Sequence, residues 1–200
     1  MVGAGTGVEY SPIREPRDEN ATPTVPDSLY GMAKLACGNA LHAIAAGMGC
    51  SAAWARLFYL LGPGEKPERL VPSASRAILE SSQFYCRNGD AFLDYMDVRD
   101  AAHALVALLL SDVRGTVNIA SGTGRYVKDI VRSLAASTDM PADVVFQARQ
   151  EQDPLSIVAR TERLHAELDF SPRYSIEESL MDCLFYASTT KDCHDSGRTI

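Results

Sequence analysis

Tyr30 and Lys34 stand four residues apart in a segment that reads as helix, so they share one helical face. Thr6 precedes them at the end of a short, glycine-rich apolar run. A free phenol has a pKa of about 10 and is a poor base at neutral pH. An ammonium within about 4–6 Å favours the phenolate and lowers that value. A phenol tuned in this way can accept or donate a hydroxyl proton while hydride leaves or arrives at the same carbon. The second hydroxyl, on Thr6, would hold the reacting oxygen. The hydride carrier must be a nicotinamide, because no side chain performs that transfer. Together the three residues specify a proton relay for redox chemistry at a carbinol or ketone carbon.

The elements that must position them alternate along the chain. Val2 to Tyr10 reads as a strand end, and residues 11–27, with Pro12, Pro16, Pro23 and Pro26, as loop. Asp27-Ser28 can cap a helix from about Tyr30 to Ala46, which Gly47-Met48-Gly49 stops. Ser51 to Tyr59 is a buried strand candidate, continued by Leu60-Leu61 to Gly62-Pro63-Gly64. Downstream come a helix near Ser73 to Glu80, strands near Phe84 and Phe92, and a buried helix from Val98 to Leu110. A strand from Thr116 to Ala120, closed by Ser121-Gly122-Thr123-Gly124, leads into a helix from Tyr126 to Ser137. A strand near Val144 and helices at Thr161 to Leu168 and Ile176 to Tyr186 complete the pattern, and the last residues read as disordered. The alternation implies an α/β fold with a parallel sheet, of which about three strands are central.

Composition sets the outer bounds. Two hundred residues suffice for one domain with a real core, and the net charge of -7 argues against nucleic-acid or anionic-membrane partners. The five cysteines (Cys37, Cys50, Cys86, Cys183 and Cys193) are scattered and show no C-x-x-C spacing, which points to a reducing, cytoplasmic setting. No two of His42, His103, His165 and His194 have H-x-x-x-H spacing, so no metal site is expected. Cys193-His194 reads as solvated sequence in a polar tail. No run of about 18 apolar residues offers a membrane span, and the start lacks a signal-peptide core.

Six ordered segments resemble the extended short-chain dehydrogenase/reductases, the NAD-dependent epimerase/dehydratase group. Gly5-Thr6-Gly7-Val8-Glu9-Tyr10 resembles S-[ST]-x-x-V-Y-G, and Pro26-Asp27-Ser28-Leu29-Tyr30-Gly31-Met32-Ala33-Lys34 resembles P-x-S-x-Y-G-x-S-K. Arg56-Leu57-Phe58-Tyr59-Leu60-Leu61-Gly62-Pro63 resembles R-x-F-N-V-Y-G-P, and Pro67-Glu68-Arg69-Leu70-Val71-Pro72 resembles P-x-[KR]-L-[IV]-P. Leu93-Asp94-Tyr95-Met96-Asp97-Val98-Arg99-Asp100 resembles R-D-[FY]-[IL]-x-V-x-D, and Val117-Asn118-Ile119-Ala120-Ser121-Gly122 resembles [YF]-N-[IV]-G-S-G. The resemblance implies that Tyr30 is the acid/base, that Lys34 holds the nicotinamide ribose and tunes Tyr30, and that Thr6 binds the reacting oxygen. It places Phe58 near the nicotinamide of NAD or NADP, and Tyr59, Arg69 and Leu70 in a nucleotide-sugar pocket.

The sequence departs from that family in three places. No G-x-x-G-x-x-G dinucleotide loop opens it, and neither Gly3-Ala4-Gly5-Thr6-Gly7 nor Ser121-Gly122-Thr123-Gly124 takes its place; the second reads as a structural turn. The phosphate-binding Arg before D-[FY] is Leu93 and the Asn after R-x-F is Tyr59, a change for which Arg69 or Arg87 could compensate. Gly7-Val8 stand where dehydratases carry Asp-Glu, which favours ketoreduction or epimerisation over dehydration.

The domain expectation is a partial Rossmann-like core over residues 1–62 and 97–148. A substrate-binding subdomain would cover 63–96 and 149–187, with a disordered tail over 188–200. The expected activity is NAD(P)-dependent reduction or epimerisation of a nucleotide-linked sugar. The alternative is a redox-silent relative acting as a binding or assembly module or in cofactor-free acid/base chemistry. An uncovered strand edge and helix face would make the protein a homo-oligomer.

Overall fold

The computed structural model describes residues 1–140, 142–147 and 155–195, with side chains through 190. In chain order the elements are β1 (Val2–Thr6), a 3-10 turn (Gly7–Glu9), α1 (Leu29–Gly47), β2 (Ala53–Leu57), β3 (Tyr59–Leu61), α2 (Leu70–Leu79), β4 (Gln83–Cys86) and β5 (Phe92–Asp97). They continue with α3 (Val98–Leu110), β6 (Gly115–Ile119), β7 (Gly124–Tyr126), α4 (Val127–Ala136), β8 (Asp143–Phe146), β9 (Ser156–Ile157), α5 (Glu162–Leu168) and α6 (Ile176–Asp195). The α/β, parallel-sheet expectation holds.

The chain parts into two compact units: Met1–Leu60, Phe92–Gly124 and Leu155–Arg173 form one, and Leu61–Ala91, Arg125–Pro154 and Tyr174–Ile200 the other. This division differs from the one read in the sequence. Residues 92–96 and 155–173 join the first unit because the Asp94 carboxylate and the β5–β9 pairing tie them there, while α4 and β8 fall in the second.

In the first unit, β1, β2 and β6 form a parallel sheet in that order, in register from Val2 opposite Ala53 and Ala53 opposite Gly115. Parallel strands need both faces covered. Ala53, Ala55, Val117 and Ile119 pack with Ala101, Ala104 and Leu108 of α3 and with Leu164 and Phe170. Asp97 caps α3 by accepting from Arg99 N at 2.7 Å. Near α1, Gly3, Gly5 and Gly38 all lie against the Trp54 ring, and a Cβ at Gly38 would sit 2.8 Å from it. Small residues therefore set how closely α1 approaches β1.

The outer edge of β6 is closed by side chains. The Glu19 carboxylate accepts from Asn118 N at 2.8 Å, and the Arg163 guanidinium donates to Thr116 O and, at 3.1 Å, to Arg114 O. Asn118 Oδ1 accepts from Tyr10 Oη, and its Nδ2 donates to Arg17 O and Arg160 O, so residue 118 clamps the 11–27 loop.

In the second unit, β4 and β8 pair in parallel from Gln83 opposite Asp143, and α2, α4 and α6 pack together. α6 continues through Asp195, which corrects the disordered tail read from 188 onward. Along its polar stretch Ser188, Thr189 and Thr190 return their hydroxyls to the carbonyls of Phe185 and Tyr186, which satisfies them within the helix. Residues 196–200 lie outside the described residues, as do the side chains of Cys193 and His194. The strand read as continuous from Ser51 to Leu61 breaks at Phe58, whose ring turns in against Gly7.

Candidate active site

Thr6 ends β1 and caps the 3-10 turn. Its Oγ1 accepts from Val8 N at 3.5 Å, while the Glu9 carboxylate accepts from Thr6 N at 2.8 Å, a reciprocal capping box. Both bonds leave the hydroxyl proton unused, so Thr6 is left as a donor. That is the polarity a carbonyl or alkoxide oxygen needs.

Tyr30 and Lys34 sit on the first turns of α1. Ser28 caps the helix by accepting from Gly31 N at 3.1 Å. Gly31 fits against Val8 O and Pro26, where a Cβ would meet the Val8 carbonyl at 2.5 Å, so the first turn of the helix docks on the turn that follows Thr6. Tyr30 is 57% exposed there. Lys34 Nζ donates to Ala4 O at 3.1 Å. This bond joins α1 to β1, the strand that Thr6 ends. Phe58 is buried with its ring against Gly7.

The remaining sequence candidates lie elsewhere. Tyr59 is half-buried, its ring 5.6 Å from that of Tyr95. Arg69 and Leu70 belong to the second unit at the start of α2, with Arg69 Nε bonded to Glu65 at 3.2 Å and largely exposed. Arg87 is exposed.

Sequence reasoning missed the group beneath Thr6. Glu9 is fully buried, and besides Thr6 N it accepts from Trp54 Nε1 at 3.0 Å and from Arg56 Nε at 2.8 Å. The Arg56 guanidinium lies 4.2 Å from the centre of the Tyr10 ring. Burial pushes the Tyr10 phenol up to about 12, with Arg56 opposing it. The sequence marks its members singly, an acid in an apolar segment and an arginine inside the buried strand Ala53–Leu57, but not their meeting.

A nicotinamide's fit can be tested against these residues. Tyr30 and Lys34, to which the family resemblance gives its ribose end, both lie on α1, and Lys34 bonds Ala4 O of β1. Neither glycine-rich segment serves the pyrophosphate. Gly3 and Gly5 are packed on Trp54 inside a strand. In the Ser121 turn, Asp94 accepts from Ser121 N at 2.9 Å, Ser121 Oγ at 2.6 Å and Gly122 N at 3.0 Å, while Thr123 N bonds Ser121 Oγ. Ala159 N adds a fourth bond to Asp94 at 3.2 Å, and burial raises the carboxyl's pKa against these hydrogen bonds. Gly122 meets the turn's positive φ of +77°. Among the described residues, no three His, Cys, Asp or Glu side chains gather to hold a metal ion, and no helix is long and apolar enough to cross a membrane.

Residues 1–120 match the profile of the NAD dependent epimerase/dehydratase family. The UDP-glucose 4-epimerase of Corynebacterium glutamicum is 28% identical over 171 residues, 76% of this chain and 52% of that protein. The GDP-6-deoxy-D-mannose reductase of Pseudomonas aeruginosa is 26% identical over 174 residues, 78% of this chain and 54% of that protein. The chain thus spans about half the length of these curated relatives. Among solved structures, the Pseudomonas aeruginosa protein RMD in complex with NADPH superposes with a TM-score of 0.87 at 22% identity, covering 94% of this chain and 66% of that one. MoeE5 in complex with UDP-glucuronic acid and NAD gives 0.84 at 24% identity, over 94% of this chain and 64% of that one. At such identities the superpositions establish the fold.

Proposed function

The chain belongs to the NAD dependent epimerase/dehydratase family, and on that premise we propose that it reduces or epimerises a carbinol or ketone carbon of a nucleotide-linked sugar with NAD or NADP. Its relatives include nucleotide-sugar epimerases and reductases. The observation that supports the reading is the donor polarity of Thr6, whose hydroxyl oxygen is engaged by Val8 N, together with the bond from Lys34 to Ala4 O of the strand that Thr6 ends.

In this reading Thr6 donates to the sugar oxygen and lowers the cost of charge building there. Tyr30, exposed on α1, takes the proton from that oxygen or returns it. Lys34, one turn further along, supplies positive charge on the same helical face. A bound nicotinamide would supply or accept the hydride at the carbon. Phe58, Tyr59, Arg69 and Leu70 are assigned the cofactor and substrate contacts that the family resemblance implies. Gly7-Val8 carry no acid/base pair, so the reading stops short of dehydration. A homo-oligomer belongs to the same reading, supported by the exposed Leu29, Met32 and Ile44 on α1 and tested by light scattering.

The test is Tyr30→Phe, assayed with UDP-glucose and NAD and with NADPH-dependent reduction of a keto-sugar nucleotide. Turnover should fall by about 10²–10⁴-fold, the range of a lost general acid/base. The melting temperature should stay unchanged, because Tyr30 is largely exposed. Full turnover in this variant sinks the assignment.

A further inference from the structure

We propose that Glu9 is a positioning residue that fixes where the Thr6 hydroxyl points and how closely the helix carrying Tyr30 and Lys34 approaches it. The proposal rests on the function assigned above to those three residues. One carboxylate makes three kinds of contact. Oε1 accepts from Thr6 N at 2.8 Å, which pins the backbone of the donor residue. Both oxygens accept from Trp54 Nε1 at 3.0 Å, which fixes the rotation of the indole. Oε2 accepts from Arg56 Nε at 2.8 Å, which anchors the carboxylate to β2.

The indole converts that anchoring into a spacing. Its ring is packed against Gly3 and Gly5 on β1 and against Gly38 on α1, so any swing of the ring pushes strand and helix apart. The helix displaced in that way is the one that bears Tyr30 and Lys34. The pair is fully desolvated, with side-chain exposures of 6% for Arg56 and 0% for Glu9. Such a pair is a weak source of stability, because an apolar pair of similar volume often packs equally well. Its presence under a reacting hydroxyl is therefore better explained by orientation than by stability. No group within this cluster touches the reacting atoms, so Glu9 acts through Thr6 and Trp54.

Trp54 is the only tryptophan of the chain, so its emission reads this junction without interference. The experiment compares wild type with the double variant Glu9→Met/Arg56→Met, which replaces the ion pair by apolar side chains of similar volume. Glu9→Gln serves as a second variant should the double fail to fold. Three readouts are taken on folded protein: amide exchange of Thr6 by NMR, Trp54 emission, and kcat and KM with UDP-glucose and NAD. The double variant should exchange the Thr6 amide at least tenfold faster and shift the Trp54 emission. It should also lose tenfold or more in kcat, since misplacement of about 1 Å can cost about 10²-fold, while KM for the sugar nucleotide moves less than threefold. Unchanged Thr6 exchange in the folded variant overturns the proposal, whatever the activity, and so does an unchanged kcat. If wild type shows no turnover but the variant frees the Thr6 amide and shifts Trp54, the positioning by Glu9 stands and the assigned reaction falls.

Discussion

Two fully buried carboxylates, Glu9 and Asp94, solve the same problem in opposite ways. Glu9 is met by a guanidinium, an indole N–H and one backbone N–H. Asp94 is met by three backbone N–H groups and a hydroxyl, with no cation among these donors. The difference follows from what each must hold. The Glu9 donors come from a turn and a neighbouring strand, so the carboxylate fixes side chains relative to one another. The Asp94 donors come from two backbone segments, the Ser121 turn and the chain after β9, so the carboxylate fixes main chain and serves as an internal substitute for ladder bonds. Without a cation, burial wins at Asp94 and raises its pKa. On the function proposed above, one site orients chemistry, and the other holds the path of the chain.

The comparison breaks first at Asp94. Asp94→Ala leaves three backbone donors and a hydroxyl without their acceptor, at about 1–3 kcal/mol for each group that stays dry. We expect a loss of about 3–5 kcal/mol in denaturant unfolding, a magnitude reserved for broken buried networks. A loss below 1 kcal/mol would erase the structural role given to Asp94.

A smaller effect is expected at the other site. A Cβ at Gly5 would run into Trp54 Nε1 and Glu9 Oε1. Gly5→Ala should cost about 1–3 kcal/mol by overpacking and shift the Trp54 emission. The same melt without a change in emission would mean that the indole is not the spacer between β1 and α1.

The smallest effect is a slope. Because Asp94 has a raised pKa when folded, the native state keeps its proton to higher pH than the unfolded chain does. The stability linked to this group is therefore fully present below the reference value of 3.8 and is lost as pH rises from there through the raised folded value. The difference in unfolding free energy between wild type and Asp94→Asn should shrink as pH rises across that window. A difference independent of pH would place the carboxyl in a better-compensated site than burial implies.

Much of the architecture was legible in the sequence, and the reasons are local. Val98–Leu110 was read to the residue because an apolar, Ala/Leu-rich run follows a capping Asp97. The bounds of α1 were nearly read because Ser28 and the Gly47–Gly49 stop are chain-local signals. The short strands β7 and β9 were missed because two or three residues carry no period. The helical course of 188–195 was missed because Ser188, Thr189 and Thr190 are polar, helix-neutral residues that carry no apolar period. At the site, the spacing of Tyr30 and Lys34 was visible. The Glu9–Trp54–Arg56 group was not, because it joins residues about 45 positions apart that only the β1–β2 register brings together. The Ser121 turn was read as structural, and its three bonds to Asp94 give the physical reason.

The closed edge of β6 carries a consequence for how such a sequence can drift. Glu19 and Arg163 occupy the hydrogen-bonding positions that an incoming strand would use at Asn118, Thr116 and Arg114. A single change at Arg163 would return two carbonyls to the surface and leave a template on which another chain could add. Neither residue takes part in the chemistry proposed here, yet both cover polar groups on which another strand could add. Selection at these two positions would therefore be felt in the lifetime of the protein in a crowded cell before it was felt in turnover.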